Sequence, residues 1–237
     1  MELLFTDDAY LKDCQARVLS ADGDGIRLDR TIFYPRGGGQ PGDTGHLILE
    51  DGSEIAIIDT IKGADHQDVV HVLAEGCQLP VLGTTVKVVL DWERRYKHMR
   101  MHTTMHILCS LIEGDVTGGS VGAEKSRLDF NLPDFQGDKL EITERLNRVI
   151  AEDHKVVTRW ISEEELEAQP ELVRTMSVQP PRGAGKVRLL HIEDVDLQPC
   201  GGTHVDSTGE IGPMIIAKIE NKGKQNRRFN IRFAEQA

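Results

Sequence analysis

The chain has 237 residues, 28 basic and 39 acidic, for a formal net charge of −11, and 39% of its residues are hydrophobic. That length supports a sizeable core and two modest domains. No apolar run approaches membrane-spanning length, Met1 opens no charged and apolar leader, and Cys14, Cys77, Cys109 and Cys200 are too sparse for a disulfide scaffold. These features argue against a membrane-spanning or disulfide-stapled protein and point to a reducing, cytoplasmic setting.

Up to about Leu90 the chain reads as short strands with Gly, Asp and Pro turns. Ala16 to Leu19 and Ile26 to Asp29 pair across Asp22-Gly23-Asp24-Gly25, and Leu47 to Leu49 and Ile55 to Ile58 across Asp51-Gly52. Val69 to Leu73 and Thr85 to Leu90 add two more, which suggests a small antiparallel barrel over residues 1–90. Inside it stands the run from Phe33 to Gly45, with Arg36, Gly37, Gly38, Gly39 and Gln40 at its centre. Three consecutive glycines admit close approach of backbone to a ligand, with Arg36 adding a charge and Gln40 a bidentate amide. The alternative is a flexible surface loop. The spacing matches neither a dinucleotide fingerprint nor a P-loop, so no dinucleotide is expected.

From Asp91 to the end, residues 91–237, the character changes to α+β. Asp91 caps a helix over Trp92 to Ile112 with Met101, Met105, Leu108 and Ile112 on one face. Gly114 to Gly122 reads as irregular and Ser126 to Asn131 as a strand. Ile142, Leu146, Val149 and Ile150 mark an amphipathic helix. Val156 to Ile161 reads as a strand, Ser162 and Glu165 as a capping box, and Pro180 to Gly185 as a loop. Val187 to Ile192, Met214 to Ile219 and Phe229 to Phe233 complete one central antiparallel sheet.

Two ligand-type pairs fall in this half. His102 and His106 are four apart on the helix, hence on the same face. Cys200 and His204 are four apart around a Gly-Gly turn. One sulfur and three imidazoles make a tetrahedral set for one Zn2+ per chain. His98 and Cys109 lie along the same stripe; we read His98 as partly exposed or substrate-facing and Cys109 as a buried small hydrophobe.

From Lys218 to Arg232 the chain holds Lys218, Lys222, Lys224, Arg227, Arg228 and Arg232 against one acid, Glu220. Net charge misleads when sign is segregated, so a basic hairpin on an acidic body suits phosphate contact. The rival reading is a solvated hairpin whose cations protect a sheet edge.

The stretch Tyr-Pro-Arg-Gly-Gly-Gly-Gln-Pro-Gly-Asp-Thr-Gly (34–45), His-Thr-Thr-Met-His (102–106) and Cys-Gly-Gly-Thr-His (200–204) occur here in this order. In this they resemble the editing region of alanyl-tRNA synthetase and its free-standing relatives, the medium-length AlaX proteins. Lys125 to Phe130 and Lys222 to Arg228 resemble further family segments.

The resemblance implies a zinc-dependent hydrolase acting on tRNA(Ala) mischarged with serine or glycine, with His102, His106, Cys200 and His204 as ligands and Gln40 near the aminoacyl group. Loop chemistry and the need to read serine's hydroxyl extend the expected substrate side to Gly38, Gly39, Thr103 and Thr117. The tRNA side takes in Arg36, Lys125, Arg127, Lys222, Lys224, Arg227 and Arg228. A His at position 98 departs from the family pattern.

A hydroxyl-reading group would separate serine from alanine, and Thr103, Thr104 and Thr117 are candidates. No Glu follows His102, so the His-Glu-x-x-His base is missing, and neither motif contains an obvious general base. Four protein ligands usually close a zinc site, whereas catalytic zinc keeps a position open. A non-catalytic, zinc-containing tRNA-binding module is therefore the alternative, and a hydrolase of small esters is a third reading.

Overall fold

The computed structural model describes residues 1–65, 67–175 and 185–234; the loop expected at Pro180 to Ala184 lies outside them. The chain divides into two compact units, Met1–Tyr96 and Lys97–Ala237.

The first unit contains β1 (Glu2–Leu3), β2 (Asp13–Asp22), β3 (Gly25–Leu28), β4 (Arg30–Thr31), β5 (Gly45–Ile48), β6 (Glu54–Lys62), β7 (Val69–Leu73) and β8 (Thr85–Leu90). Six of them close an antiparallel barrel in the order β2-β3-β7-β6-β5-β8, and β1 pairs parallel with β4. The expected barrel is there, with β2 against β3 and β5 against β6. Alternate residues turn inward: Ala16 and Val18 of β2, Ile55 and Ile57 of β6, and Val86 and Val88 of β8 fill a core with Ile26, Leu28, Phe33 and Leu47.

Not every inward position is apolar. His71 of β7 is fully buried, its Nδ1 3.0 Å from the Ile26 carbonyl and its Nε2 2.8 Å from the Thr31 hydroxyl. A neutral ring with Nδ1–H satisfies both partners. Burial pulls this imidazole down from 6.5 to about 4, against the lift from the Ile26 carbonyl. As pH falls, the unfolded chain therefore takes up this proton before the folded one. The contribution is complete above pH 6.5 and is lost between 6.5 and about 4, to the extent of about 3 kcal/mol. We expect urea-unfolding free energies of the wild type to fall more steeply over that window than those of His71→Gln; parallel profiles would refute the assignment.

α1 (Trp92–Leu111) starts in the first unit and runs on into the second. The Arg94 amide donates to the Asp91 carboxylate at 3.3 Å, as the cap requires. Met101, Met105, Leu108 and Ile112 are buried as expected, but so are Met99, Ile107 and Cys109. From Met101 to Cys109 every residue is buried, so this stretch is a core element rather than an amphipathic surface helix.

The second unit continues with β9 (Val116–Ser120), β10 (Lys125–Asn131), α2 (Lys139–Ala151), β11 (Val156–Ser162), α3 (Glu163–Glu167), β12 (Lys186–Ile192), β13 (Asp196–Pro199), β14 (Met214–Lys222) and β15 (Asn226–Phe233). α2 buries Ile142, Leu146 and Ile150, and the Ser162–Glu165 capping box opens α3 as expected.

Two expectations need correction. The stretch from Gly114 to Gly122 is not irregular throughout, because β9 forms within it against β10. Its glycines suit that strand. A Cβ at Gly119 would stand 3.1 Å from both the Leu128 and Met105 side chains, a tight contact that glycine avoids where β9 approaches α1. The strands also form not one sheet but two antiparallel ones, β14-β15-β10-β9 and β11-β12-β13. Between β13 and β14 the chain passes through the Gly201-Gly202 turn and a 3-10 turn (Thr208–Ile211) ending at left-handed Gly212, φ 71°. That irregular connection interrupts strand pairing. No helix among the described residues is long and apolar enough to cross a membrane.

Candidate metal centre

β13 was not foreseen as a strand, and it positions the site. Along a strand every second side chain shares a face, so Asp196, Gln198 and Cys200 point together. The Cys200 amide donates to the Arg188 carbonyl at 3.0 Å, which extends the β12–β13 pairing by one residue to the cysteine. This face meets the side of α1 that carries His102 and His106.

There His102, His106, Cys200 and His204 bring one donor atom each to within 4.8 Å of one another, and all four are buried or half-buried. Cys200 Sγ lies 3.7 Å from His102 Nε2 and 3.2 Å from His204 Nε2. Tetrahedral zinc with ordinary Zn–S and Zn–N bonds has S···N edges of roughly 3.6 Å, so the donors fit that ion.

The ligands are oriented from behind. His106 Nδ1 meets the Asp196 carboxylate at 3.0 Å, and His204 Nδ1 meets the Thr103 hydroxyl at 3.2 Å. Each ring is thereby left with Nε2 toward the common centre. Gln198 donates to Asp196 at 2.8 Å. Arg188 donates to the Gly202 carbonyl at 2.7 Å and the Cys200 carbonyl at 3.4 Å, clamping the Cys-Gly-Gly turn.

Charge follows the same geometry. Burial opposes ionisation of Cys200, but the three imidazoles hold its thiol well below the usual range. At His106 burial works against the charged form, yet the Cys200 thiolate and Asp196 outweigh it and lift the ring to about 10. Burial, aided by His102 and His106, pulls His204 down to about 3 despite the thiolate. One thiolate balanced by one imidazolium, beside a neutral ring, is a donor set that a divalent cation can take over by displacing a proton. Cys109 behaves otherwise: it is buried, and burial pushes its thiol up to about 12, so it is an inert core residue as expected.

Asp196 received no role from the sequence, although it stands four residues before Cys200. Asp196→Asn keeps the hydrogen-bonding shape and removes the charge, so it should weaken zinc binding about 10–100-fold. Competition against a chromogenic chelator measures this, and unchanged affinity would show that the carboxylate does not support the ligand.

Residues 187–230 match the family model described as the threonyl and alanyl tRNA synthetase second additional domain, and residues 6–94 match class II (A) tRNA synthetases. An alanyl-tRNA editing protein AlaX-M of Methanosarcina mazei is 39% identical over 247 residues, covering 100% of this chain and 98% of that one. Its namesake in Saccharolobus solfataricus is 33% identical, covering 96% of each chain. The chain belongs to the AlaX family of alanyl-tRNA editing proteins. An alanine–tRNA ligase of Pyrococcus abyssi is 37% identical over 92% of this chain and only 24% of the ligase, so the likeness to the ligase is to one part of it.

The other residues singled out from the AlaX resemblance are distributed as follows. Gly38 and Gly39, at φ 56° and 82°, form the tip of a two-residue turn closed by Gly37–Gln40 backbone bonds of 3.1 and 2.9 Å. Gln40 is buried and Arg36 is ion-paired with Asp59. Thr103 donates to the Met99 carbonyl at 2.9 Å in addition to its contact with His204, and Thr104 donates to Arg100 at 2.8 Å. Thr117 contacts the Asp129 carbonyl and Asn226. His98 is 1% exposed, which corrects the expectation of a partly exposed ring; it lies within the buried length of α1.

The basic segment is the hairpin β14–β15. Arg228 grips Asp129 with two bonds of 2.8 Å and Arg127 reaches the same carboxylate at 2.6 Å, so Asp129 organises both. Lys222 lies 3.7 Å from Glu220, Arg227 donates to the Pro133 carbonyl, and Lys125 and Lys224 are exposed.

Proposed function

We propose that this chain is a free-standing, cytoplasmic hydrolase that removes serine from mischarged tRNA(Ala), with glycine as a second candidate, and that Zn2+ occupies the four-donor centre. The observation that carries the proposal is the convergence of His102, His106, Cys200 and His204 in a chain that matches AlaX-M proteins over its whole length.

When bound, zinc supplies Lewis-acid polarisation or a water acidified to a pKa of about 7. The chain's own residues do the rest. Asp196 and Thr103 fix the rings of His106 and His204, and Arg188 holds the Cys200 turn. Lys125, Lys222, Lys224 and Arg227, with Arg127 and Arg228 set by Asp129, offer cations to the phosphate backbone. Gln40, Gly38 and Gly39 are proposed substrate contacts from the first unit, Arg36 a proposed tRNA contact, and Thr117 a proposed serine-side contact. Thr103 enters the proposal as the support of His204, since its hydroxyl is turned to that ring.

Such a site is needed because a pocket shaped for alanine rejects one added hydroxyl only ~100-fold. The test is to follow Ser-tRNA(Ala) and Ala-tRNA(Ala) side by side with zinc-replete protein. Rapid loss of serine with alanine spared is the expected result. A completed four-ligand set is also what a structural zinc requires, so the second reading is a tRNA-binding module without chemistry. Salt-sensitive tRNA binding with both esters left intact would select it.

A further inference from the structure

The face of the three-stranded sheet that carries the metal donors does not end at Cys200. In antiparallel pairs, residues directly opposite share a face. Trp160 of β11 is opposite Arg188 of β12, and Arg188 is in turn opposite Cys200, whose amide it accepts. Trp160, Arg188 and Cys200 thus form one row across the sheet. At the usual strand spacing the Trp160 and Cys200 backbones are roughly 10 Å apart.

The neighbouring rows on this face are Thr158–Leu190–Gln198 and Val156–Ile192–Asp196. The second of them ends on the carboxylate that orients His106. Toward β12 and β13 the face is covered: Leu190 and Ile192 are fully buried and Arg188 is 8% exposed. Toward β11, the outermost strand of this sheet, it opens, and Trp160 is 52% exposed. Lys186, exposed and two residues from Arg188, lies on the same side beside Trp160. The register thus puts an exposed indole, with an exposed cation in the next row, on the same sheet face as Cys200.

We propose that Trp160 is a stacking platform for the terminal base of the RNA whose 3′ ribose carries the ester, with Lys186 toward the adjoining phosphate. This inference rests on the deacylase reading. The chemistry fits the distance: the base next to the ester stands one ribose from the reacting carbonyl, the scale of two strand spacings. Indole–base stacking is sequence-tolerant and is typically worth about 1–3 kcal/mol, or about 5–150-fold in affinity. It would hold the acceptor end in register while the basic hairpin grips the backbone.

Trp92 and Trp160 are the two tryptophans of the chain, so in Trp92→Phe the indole emission reports Trp160 alone. The probes are an uncharged acceptor-stem minihelix ending in CCA and the same RNA with an abasic terminal nucleotide. Quenching by the first, and clearly weaker quenching by the second, is the expected result. In deacylation, Trp160→Thr, which keeps strand propensity, should raise KM about 5–150-fold with kcat within about twofold. Trp160→Phe should restore most of the loss.

Equal quenching by both RNAs, no quenching, or an unchanged KM in Trp160→Thr overturns the proposal. So does a concentration-dependent blue shift without RNA, which would place a second copy of the chain on the indole. Base-dependent quenching in a protein that deacylates nothing would keep the platform and sink the hydrolase reading instead.

Discussion

Cys200→Ala should lower zinc affinity on the order of 10²–10³-fold and, on the proposed function, reduce Ser-tRNA(Ala) deacylation to background. The magnitude follows from sharing the ~10–16 kcal/mol of a four-ligand zinc site among its ligands, about 3 kcal/mol each. Cys200 is the donor whose loss matters most. Its sulfur meets both His102 and His204, and it carries the negative charge that the centre provides. With the thiolate gone, three imidazoles face one another with no compensating charge except Asp196 behind His106.

The control is Cys109→Ala. That thiol is also buried near the centre, but it is protonated and outside the donor set, so zinc affinity should stay within a few-fold. Equal zinc loss in both variants would point to damaged packing. Retained zinc in Cys200→Ala would remove the cysteine from the ligand set and with it the proposed centre. Full deacylation by a zinc-free Cys200→Ala protein would separate the chemistry from the metal.

Arg95→Met should destabilise the first unit by about 3–5 kcal/mol, a large share of a domain's stability of about 5–15 kcal/mol. Arg95 and Asp43 are an ion pair with side chains 0% and 1% exposed. Arg95 Nε donates to both Asp43 oxygens, at 3.1 and 2.9 Å, and its terminal nitrogens reach the carbonyls of Ile32 at 2.7 Å and Ala9 at 2.9 Å. Asp43 also accepts the Tyr34 amide at 2.6 Å, and its own amide donates back to the Tyr34 carbonyl at 3.0 Å. These reciprocal bonds close the base of the segment from Tyr34 to Asp43 that carries Gln40.

Removing the guanidinium leaves a buried carboxylate uncompensated, which is the costly way to break such a pair. Adding Asp43→Asn to Arg95→Met should recover part of the loss, because the amide oxygen still accepts from Tyr34 without a charge. Urea unfolding followed by circular dichroism measures both. A loss below about 1 kcal/mol in the single variant, or no recovery in the double, would mean that the pair does not hold the segment.

Periodicity and turn chemistry are local, and what depended on them was legible in the sequence. The barrel strands β7 and β8 came out residue for residue, because Val69–Leu73 and Thr85–Leu90 are β-branched runs between turn formers. The α3 capping box was readable for the same reason: Ser162 and Glu165 are three apart and satisfy each other's backbone. The four donors were legible because two i, i+4 pairs constrain geometry before any folding is known.

Tertiary structure alone decided the rest. β9 was hidden because its glycines weaken any strand signal, and only the packed Leu128 and Met105 side chains show why a small residue suits Gly119. His98 shares the stripe of His102 and reads from sequence as partly exposed or substrate-facing, but packing around α1 leaves it 1% exposed. Asp196, Arg188 and Trp160 acquire their relation to the metal centre only through register, which brings β11, β12 and β13 side by side. Arg95 and Asp43 lie 52 positions apart and meet only on folding. Spacing within an element thus determined the candidate donors, whereas pairing between elements decided what orients them, because contact across a sheet is a property of register rather than of sequence distance.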